Sequence, residues 1–138
     1  MAERNKSKLG EINMASVRVY ENNAWKIVGG GHTVTKYSDT KSSVSSGSWV
    51  DLKSVTPNAG RWLVLAFLEA TSNSTNEQAL KIVVGSNQRA VRAVGRGGGG
   101  CINYYVGDFN GNTAVKIQVY NYDSNSHDYK WNLEFIRL

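Results

Sequence analysis

The chain has 138 residues, of which 41% are hydrophobic and 20% are charged, and its formal net charge is +5. This balance is typical of one folded domain with a short appendage, and it excludes a largely disordered chain. No apolar run approaches the ~20 residues needed to cross a bilayer, so we expect no membrane insertion. The charged N-terminus predicts no secretory signal.

The first 31 residues predict an attachment unit. Residues 1–15 are a charged tail, which is either an attachment arm or a soluble extension. Two short strand-like runs around a polar turn, 16–20 and 24–28, then predict a β-hairpin. A lone hairpin is at best marginally stable in water, so we expect it to dock on another structure. Glycines 29–31 predict a flexible joint, which divides the chain into 1–31 and 32–138.

The rest of the chain alternates strand-like runs with turn-rich stretches and shows no convincing helical period. Strands are predicted at 32–37, 48–53, 60–70, 79–84, 88–94, 101–106, 113–122 and 129–138. Loops, or an edge in the first case, are predicted at 42–48, 71–78, 95–100, 107–112 and 123–128. The pattern indicates an all-β fold, an antiparallel jelly-roll sandwich of about eight strands preceded by the hairpin.

The run 60–70, GRWLVLAFLEA, is apolar on both faces of an extended strand. One face would carry Trp62, Val64, Ala66 and Leu68, and the other would carry Leu63, Leu65 and Phe67. A strand that faces water on one side should alternate apolar and polar residues, so this one requires two covers. The domain core supplies one cover, and we infer that a second copy of the chain supplies the other. A short buried helix is the alternative, since periodicity alone cannot assign so short a run.

Tyrosines are concentrated in the last third of the chain, at positions 104, 105, 120, 122 and 129. They are explained as strand residues that cover the rim of a sandwich, as an oligomer interface, or as a sugar-stacking surface. We favour the interface for some of them. The predicted oligomer interface consists of Trp62, Leu63, Leu65, Phe67, Tyr105 and Tyr120.

No motif predicts catalysis, a metal site or a cofactor. Neither histidine has a metal-ligand partner at a useful spacing, and no nucleophile elbow occurs. We interpret the single cysteine, Cys101, as a small buried side chain rather than a catalytic thiol. The cations Arg89, Arg92 and Arg96 raise a third hypothesis, a basic β-barrel that binds nucleic acid. Because Arg89 and Arg92 have opposite strand parity, they would face opposite sides, and nucleic-acid binding is disfavoured.

Residues 33–138 resemble the C-terminal jelly-roll tips of bacteriophage fibre and tail proteins, which belong with tumour-necrosis-factor-like and complement-head-like trimers. The resemblance depends on LKIVVGSNQRAVRAVGRGGGGCINYYV, on FNGNTAVKIQVYNYDSN and on the terminal LEFIRL. It is a pattern of strands and not a catalytic signature. Residues 16–28 also look like short hairpins of phage tail and fibre proteins. No coiled-coil or collagen-like stalk, which many fibres carry, is present in the sequence.

The resemblance implies a homotrimer in the virion, assembled in the host cytoplasm, that binds a host-surface carbohydrate or protein. Residues 1–31 would attach it to other virion proteins. The alternative is a capsid or tail decoration protein without a receptor. For ligand binding we select polar residues of two stretches, 71–76 and 123–129, namely Asn73, Asn76, Asp123, Asn125, His127, Asp128 and Tyr129.

Overall fold

The computed structural model describes residues 16–30, 33–71, 75–96 and 100–138. Over those ranges it contains ten strands, and no helix there is long and apolar enough to span a membrane. The chain separates into two compact units, with the division between Val34 and Thr35. The predicted tail, 1–15, lies outside the described residues.

The first unit contains the predicted hairpin. Strands β1 (Ser16–Glu21) and β2 (Ala24–Gly30) pair antiparallel, with Glu21 opposite Ala24. The two turn residues, Asn22 and Asn23, have φ values of 51° and 59°. A tight two-residue hairpin loop requires positive φ at both positions when it matches the strand twist, and asparagine tolerates this conformation better than most residues. The hairpin prediction is confirmed.

The second unit is a sandwich of two four-stranded antiparallel sheets. Its strands are β3 (Val34–Val44), β4 (Trp49–Val55), β5 (Gly60–Ala70), β6 (Thr75–Val84), β7 (Asn87–Arg96), β8 (Gly100–Phe109), β9 (Val115–Asn121) and β10 (His127–Arg137). The first sheet has the order β3-β10-β5-β8 and the second has the order β4-β9-β6-β7. This interleaved order is that of a jelly roll, so the predicted fold class is confirmed.

Strand bounds differ from the prediction mainly where a long-range partner extends a strand. Strand β3 continues to Val44 through residues predicted to be an edge or loop, because it lies beside β10 in the first sheet. Strand β8 continues to Phe109, which was predicted to lie in a turn, because Phe109 pairs with Gly60. The glycine-rich stretch at 95–100 is described only to Arg96 and from Gly100.

The core lies between the sheets and is built from alternating positions. In β9, Val115, Ile117 and Val119 are fully buried, as their spacing predicts. The inward face of β10 carries Trp131, Leu133 and Phe135. Each such side chain contributes about 1.5–3 kcal/mol when it leaves water.

Two buried asparagines join the sheets. On β9, the Asn121 side chain donates from Nδ2 to the carbonyl oxygens of Val44 (2.9 Å) and Asn125 (2.8 Å) and accepts from the Asp123 amide (2.8 Å). On β8, Asn103 Nδ2 donates to the carbonyl oxygens of two second-sheet residues. Backbone groups on segments that are not strand partners of β8 or β9 are therefore linked to these two strands through side chains.

Candidate interaction surfaces

The outer face of the first sheet carries a contiguous apolar patch. Three cross-strand pairs form its centre, and one residue of β10 lies beside them: Leu63 with Val106, Leu65 with Tyr104, Phe67 with Ile102, and Ile136 opposite Leu63. Ile102 is 63% exposed, Tyr104 46% and Val106 42%. We call these seven residues the apolar patch. Its Phe67 end opens into a groove of about 660 Å³ that also reaches Lys130 and Asn132.

Charged residues border the apolar patch on several sides. Beyond Leu63, Arg61 Nη1 lies 3.4 Å from Asp108 Oδ2 across β5 and β8. Beyond Phe67, Glu69 is opposite Lys130. A further ion pair, Lys36 with Glu134 at 3.5 Å, joins β3 and β10 beside it. An exposed apolar surface with a polar rim is the usual arrangement of a protein interface.

The residues predicted for the oligomer interface do not form one surface. Leu63, Leu65 and Phe67 belong to the apolar patch. Trp62 is 6% exposed and lies in the core, so it is wrongly assigned to the interface. Tyr105 is half-buried on the inner side of β8, where it packs against the core and its ring centroid lies 5.9 Å from that of Phe109, so it is not part of the apolar patch. Tyr120 faces outward, as predicted, but from the second sheet.

The outer face of the second sheet carries a row of aromatic and cationic residues. Trp49, Tyr120, Ala79 and Arg92 are opposite one another along the register of its four strands. The Trp49 and Tyr120 ring centroids are 5.3 Å apart, and those of Tyr120 and Tyr122 are 4.4 Å apart. The small residue, Ala79, lies beneath these side chains and is 2% exposed. The row is therefore continuous across the sheet.

Cations lie at both ends of this aromatic row. Lys81 Nζ is 4.1 Å from the ring centroid of Trp49, and the Arg92 guanidinium is 4.1 Å from that of Tyr122. We call Trp49, Tyr120, Tyr122, Lys81 and Arg92 the aromatic–cation cluster. Arg92 is ion-paired with Glu77. Within the part of the chain that the structure describes, Lys81 has no carboxylate partner.

The predicted ligand loop at 123–128 uses its polar groups within the chain. Asp123 Oδ2 lies 2.6 Å from His127 Nε2, and this hydrogen bond lowers the pKa of Asp123. Asp128 accepts a hydrogen bond from the Ser43 amide at 2.7 Å. Tyr129 and His127 are buried, at 0% and 7% exposure, so they are not the ligand contacts that we predicted. The alternation of β10 turns both side chains inward.

Of the other predicted ligand residues, Asn125 is exposed on the same loop. Asn73 lies outside the described residues. Asn76 belongs to β6, but its side chain is outside the description.

The three arginines of the nucleic-acid hypothesis do not form one basic stripe in the described structure. The Arg89 guanidinium is 4.2 Å from the ring centroid of Tyr104, a residue of the apolar patch, whereas Arg92 stacks on Tyr122 of the second sheet. This separation agrees with their opposite parity. The side chain of Arg96 is outside the description.

The single cysteine is buried and inert. Cys101 is 2% exposed, and burial raises the pKa of its thiol to about 11. Its Sγ donates to the carbonyl oxygen of Gln78 at 3.7 Å. A thiol in this state is not a nucleophile near neutral pH, because the thiolate is the reactive form.

The two buried asparagines that join the sheets were not identified from the sequence, and neither was the contact of Trp49 with Lys81. Asn103 and Asn121 occupy inward positions of alternating strands, and a polar residue at such a position is the signal that could have found them. Trp49 and Lys81, by contrast, occupy outward positions of their strands. However, their contact depends on the pairing of β4, β9 and β6, which spacing along one strand does not reveal.

No protein-family model matches the chain, and no curated protein matches it. Among solved structures, it is similar to a chain in a structure titled "Structure of infectious bursal disease virus Gx strain", with a TM-score of 0.47 and 9% identity. The similarity covers 85% of this chain and 36% of that chain. The chain thus spans about a third of the length of the protein it matches, and the jelly-roll assignment depends on strand order alone.

Proposed function

We propose that this chain is a non-enzymatic structural protein of a virus particle, a capsid or tail decoration subunit that associates with copies of itself. The observation that carries the proposal is the apolar patch with its charged rim. The resemblance of the sequence to trimeric phage jelly rolls supports a homotrimer and a place in the virion. Residues 1–31 are proposed to contact other virion proteins.

The chemistry of the apolar patch favours a second copy as its occupant. Its centre is aliphatic and aromatic, and such side chains favour leaving water. Its rim contains both signs of charge, as in Arg61 beside Asp108 and Lys36 beside Glu134. Identical copies can therefore approach without net repulsion, and opposite charges on two rims can pair.

Light scattering on a sizing column tests self-association. For the trimer we expect about three times the chain mass of 15.2 kDa. Ile102→Lys should reduce the mass to that of a single chain, because Ile102 is 63% exposed and a charge there opposes burial without disturbing the core. Gln88→Lys adds the same charge at an exposed position of the second sheet and should leave the mass unchanged.

A native monomer at every concentration would overturn the proposal, since the apolar patch would then be covered within the chain or not at all. Equal loss of mass in both lysine variants would also contradict it, because added charge and not the apolar patch would be responsible.

Adhesion to a host-surface glycan or protein is the second candidate function. The aromatic–cation cluster favours it, because tyrosine, tryptophan and arginine are the residue types that dominate binding surfaces. Particles that lack the protein separate the candidates. A decoration protein predicts fragile particles that still adsorb, whereas an adhesin predicts intact particles that do not.

A further inference from the structure

We propose that the aromatic–cation cluster is a binding site for an anionic saccharide chain. Its carboxylate or phosphate would be held by Lys81, and its sugar rings would lie against Trp49, Tyr120 and Tyr122. This inference rests on the adhesion candidate, and it specifies the place and the charge of the ligand. The predicted loop at 123–128 is not part of this site.

The cluster is open at its Tyr122 and Arg92 end and half-buried at Trp49, Tyr120 and Lys81, and it is continuous. Tyr122 is 41% exposed, and the side chain of Arg92 is 56% exposed. The ring contacts run from Trp49 on β4 through Tyr120 on β9 to Tyr122, which directly follows β9, with centroid distances of 5.3 Å and 4.4 Å. Aromatic rings present apolar area with little conformational entropy to lose, and their edges and faces suit the C–H surfaces of sugars.

Charge specifies an anionic ligand and makes Lys81 its main contact. Of the cations on this face, Arg92 is paired with Glu77 and Lys116 lies 3.7 Å from Asp51. Lys81 contacts the Trp49 ring instead of a carboxylate. A cation without an ion pair gains most from an incoming anion, because no carboxylate must be displaced.

The cluster has too few cations without an ion pair to favour nucleic acid as its ligand. A phosphate backbone requires several cations in a line, and binding then falls steeply with salt. Here Lys81 is the one cation of the cluster without an ion pair among the described residues. A saccharide with widely spaced charges and stacking sugar rings fits this arrangement better.

Isothermal titration calorimetry on the full chain tests the site with defined probes. The probes are an oligogalacturonate, which carries carboxylates, a phosphorylated oligomannose, and the same oligomannose without phosphate. We expect one or both charged probes to bind, and the neutral oligomannose to bind more weakly. The charged probe that binds identifies the anion, whether carboxylate or phosphate.

Variants of the cluster make the assignment specific. Lys81→Gln should weaken charged-probe binding about five- to tenfold, the usual effect of one lost charge-assisted contact. Trp49→Ala should weaken it by a similar factor, because it removes ring area against which a sugar would lie. The matched control, Lys116→Gln, removes an equal charge from the same face and should change binding less than about twofold.

A gain of affinity provides the strictest check. Glu77→Gln releases Arg92 from its ion pair and removes a negative charge beside the site, so binding should tighten about two- to threefold. A partly unfolded variant cannot produce this result. Self-association, which the solution mass reports, should be the same in all four variants, so the two proposals fail separately.

Three results would overturn the inference. The first is that neither charged probe binds the native protein. The second is that Lys116→Gln weakens binding as much as Lys81→Gln, which would show general attraction to a positive surface. The third is that a thymidine oligonucleotide binds more tightly than both charged probes and loses affinity in the Lys81 variant, which would make this face a nucleic-acid surface.

Discussion

At the scale of single residues, the two buried asparagines show how polar groups hold this sandwich together. Asn121 is fully buried and satisfies three backbone groups, all of which lie outside its own strand. Asn103 does the same on the other side of the sandwich, where it bridges β8 to the carbonyl oxygens of Leu80 and Arg89. Each side chain connects segments that pack together but do not pair with each other as strands.

Replacing one of these asparagines should destabilise the protein strongly. Asn121→Ala leaves buried backbone groups without partners, and we expect a loss of about 2–4 kcal/mol in the free energy of unfolding. Urea unfolding measures this loss, provided that the slope of the unfolding free energy against urea concentration is the same in the variant and the native protein. The control is Asn112→Ala, at an exposed position, which should change stability by less than about 0.5 kcal/mol. Equal losses of unfolding free energy in the two variants would contradict the stabilising role of the Asn121 hydrogen bonds.

The cysteine gives a second prediction at this scale. Because burial raises the pKa of the Cys101 thiol to about 11, its thiolate is scarce near pH 8. Iodoacetamide should therefore modify the native protein at least roughly a hundredfold more slowly than the urea-unfolded protein. Mass spectrometry of samples quenched over time measures both rates. Similar rates in the two states would mean that Cys101 is accessible in the folded protein.

At the scale of elements, β5 explains both what the sequence predicts and where prediction fails. Its bounds, Gly60–Ala70, agree with the predicted run, and its inward series is buried as the alternation requires. The outward series could be identified as needing a cover. It could not be joined to Ile102, Tyr104 and Val106, because register across strands depends on the whole fold.

Other elements show the same limit. Strand β3 is exposed along nearly its whole length, so it lacks the alternation by which a strand is recognised, and only its place beside β10 makes it one. Within the candidate sites, parity correctly separated Arg89 from Arg92 and placed Tyr120 outward. Alternation along β10 also turns His127 and Tyr129 into the core. His127 was predicted to lie in a loop, and Tyr129 was selected for its polar group although it begins a predicted strand.

Two leucines of β5 test the difference between its faces with identical chemistry. Leu68 is 2% exposed and faces the core, so Leu68→Ala should cost about 2–5 kcal/mol of unfolding free energy. Leu65 is on the outer face, and Leu65→Ala should cost less than half as much in urea unfolding at low protein concentration. It should instead weaken self-association in the sizing experiment. A larger unfolding loss for Leu65 would mean that its face is already covered within the chain.

At the scale of the whole molecule, the two sheets present outer surfaces of different chemistry. The first sheet exposes the apolar patch, bordered by ion pairs of both signs. The second exposes aromatic rings with cations over them. Since the sheets are back to back around one core, association through the first leaves the second open to solvent. A multivalent assembly would then present several copies of a weak site, which raises avidity without new contacts.

If the chains associate through the apolar patch, thermal stability should depend on protein concentration, and substitutions on the first sheet alone should change that dependence. If unfolding separates three chains, a tenfold rise in protein concentration adds about 0.9 kcal/mol per chain, which raises the thermal midpoint by about 3 °C. Scanning calorimetry over a series of concentrations measures the shift. Ile102→Lys should remove the dependence, whereas Lys81→Gln should preserve it, because Lys81 lies on the opposite surface. A concentration-independent midpoint for the native protein would show that folding and association are not coupled.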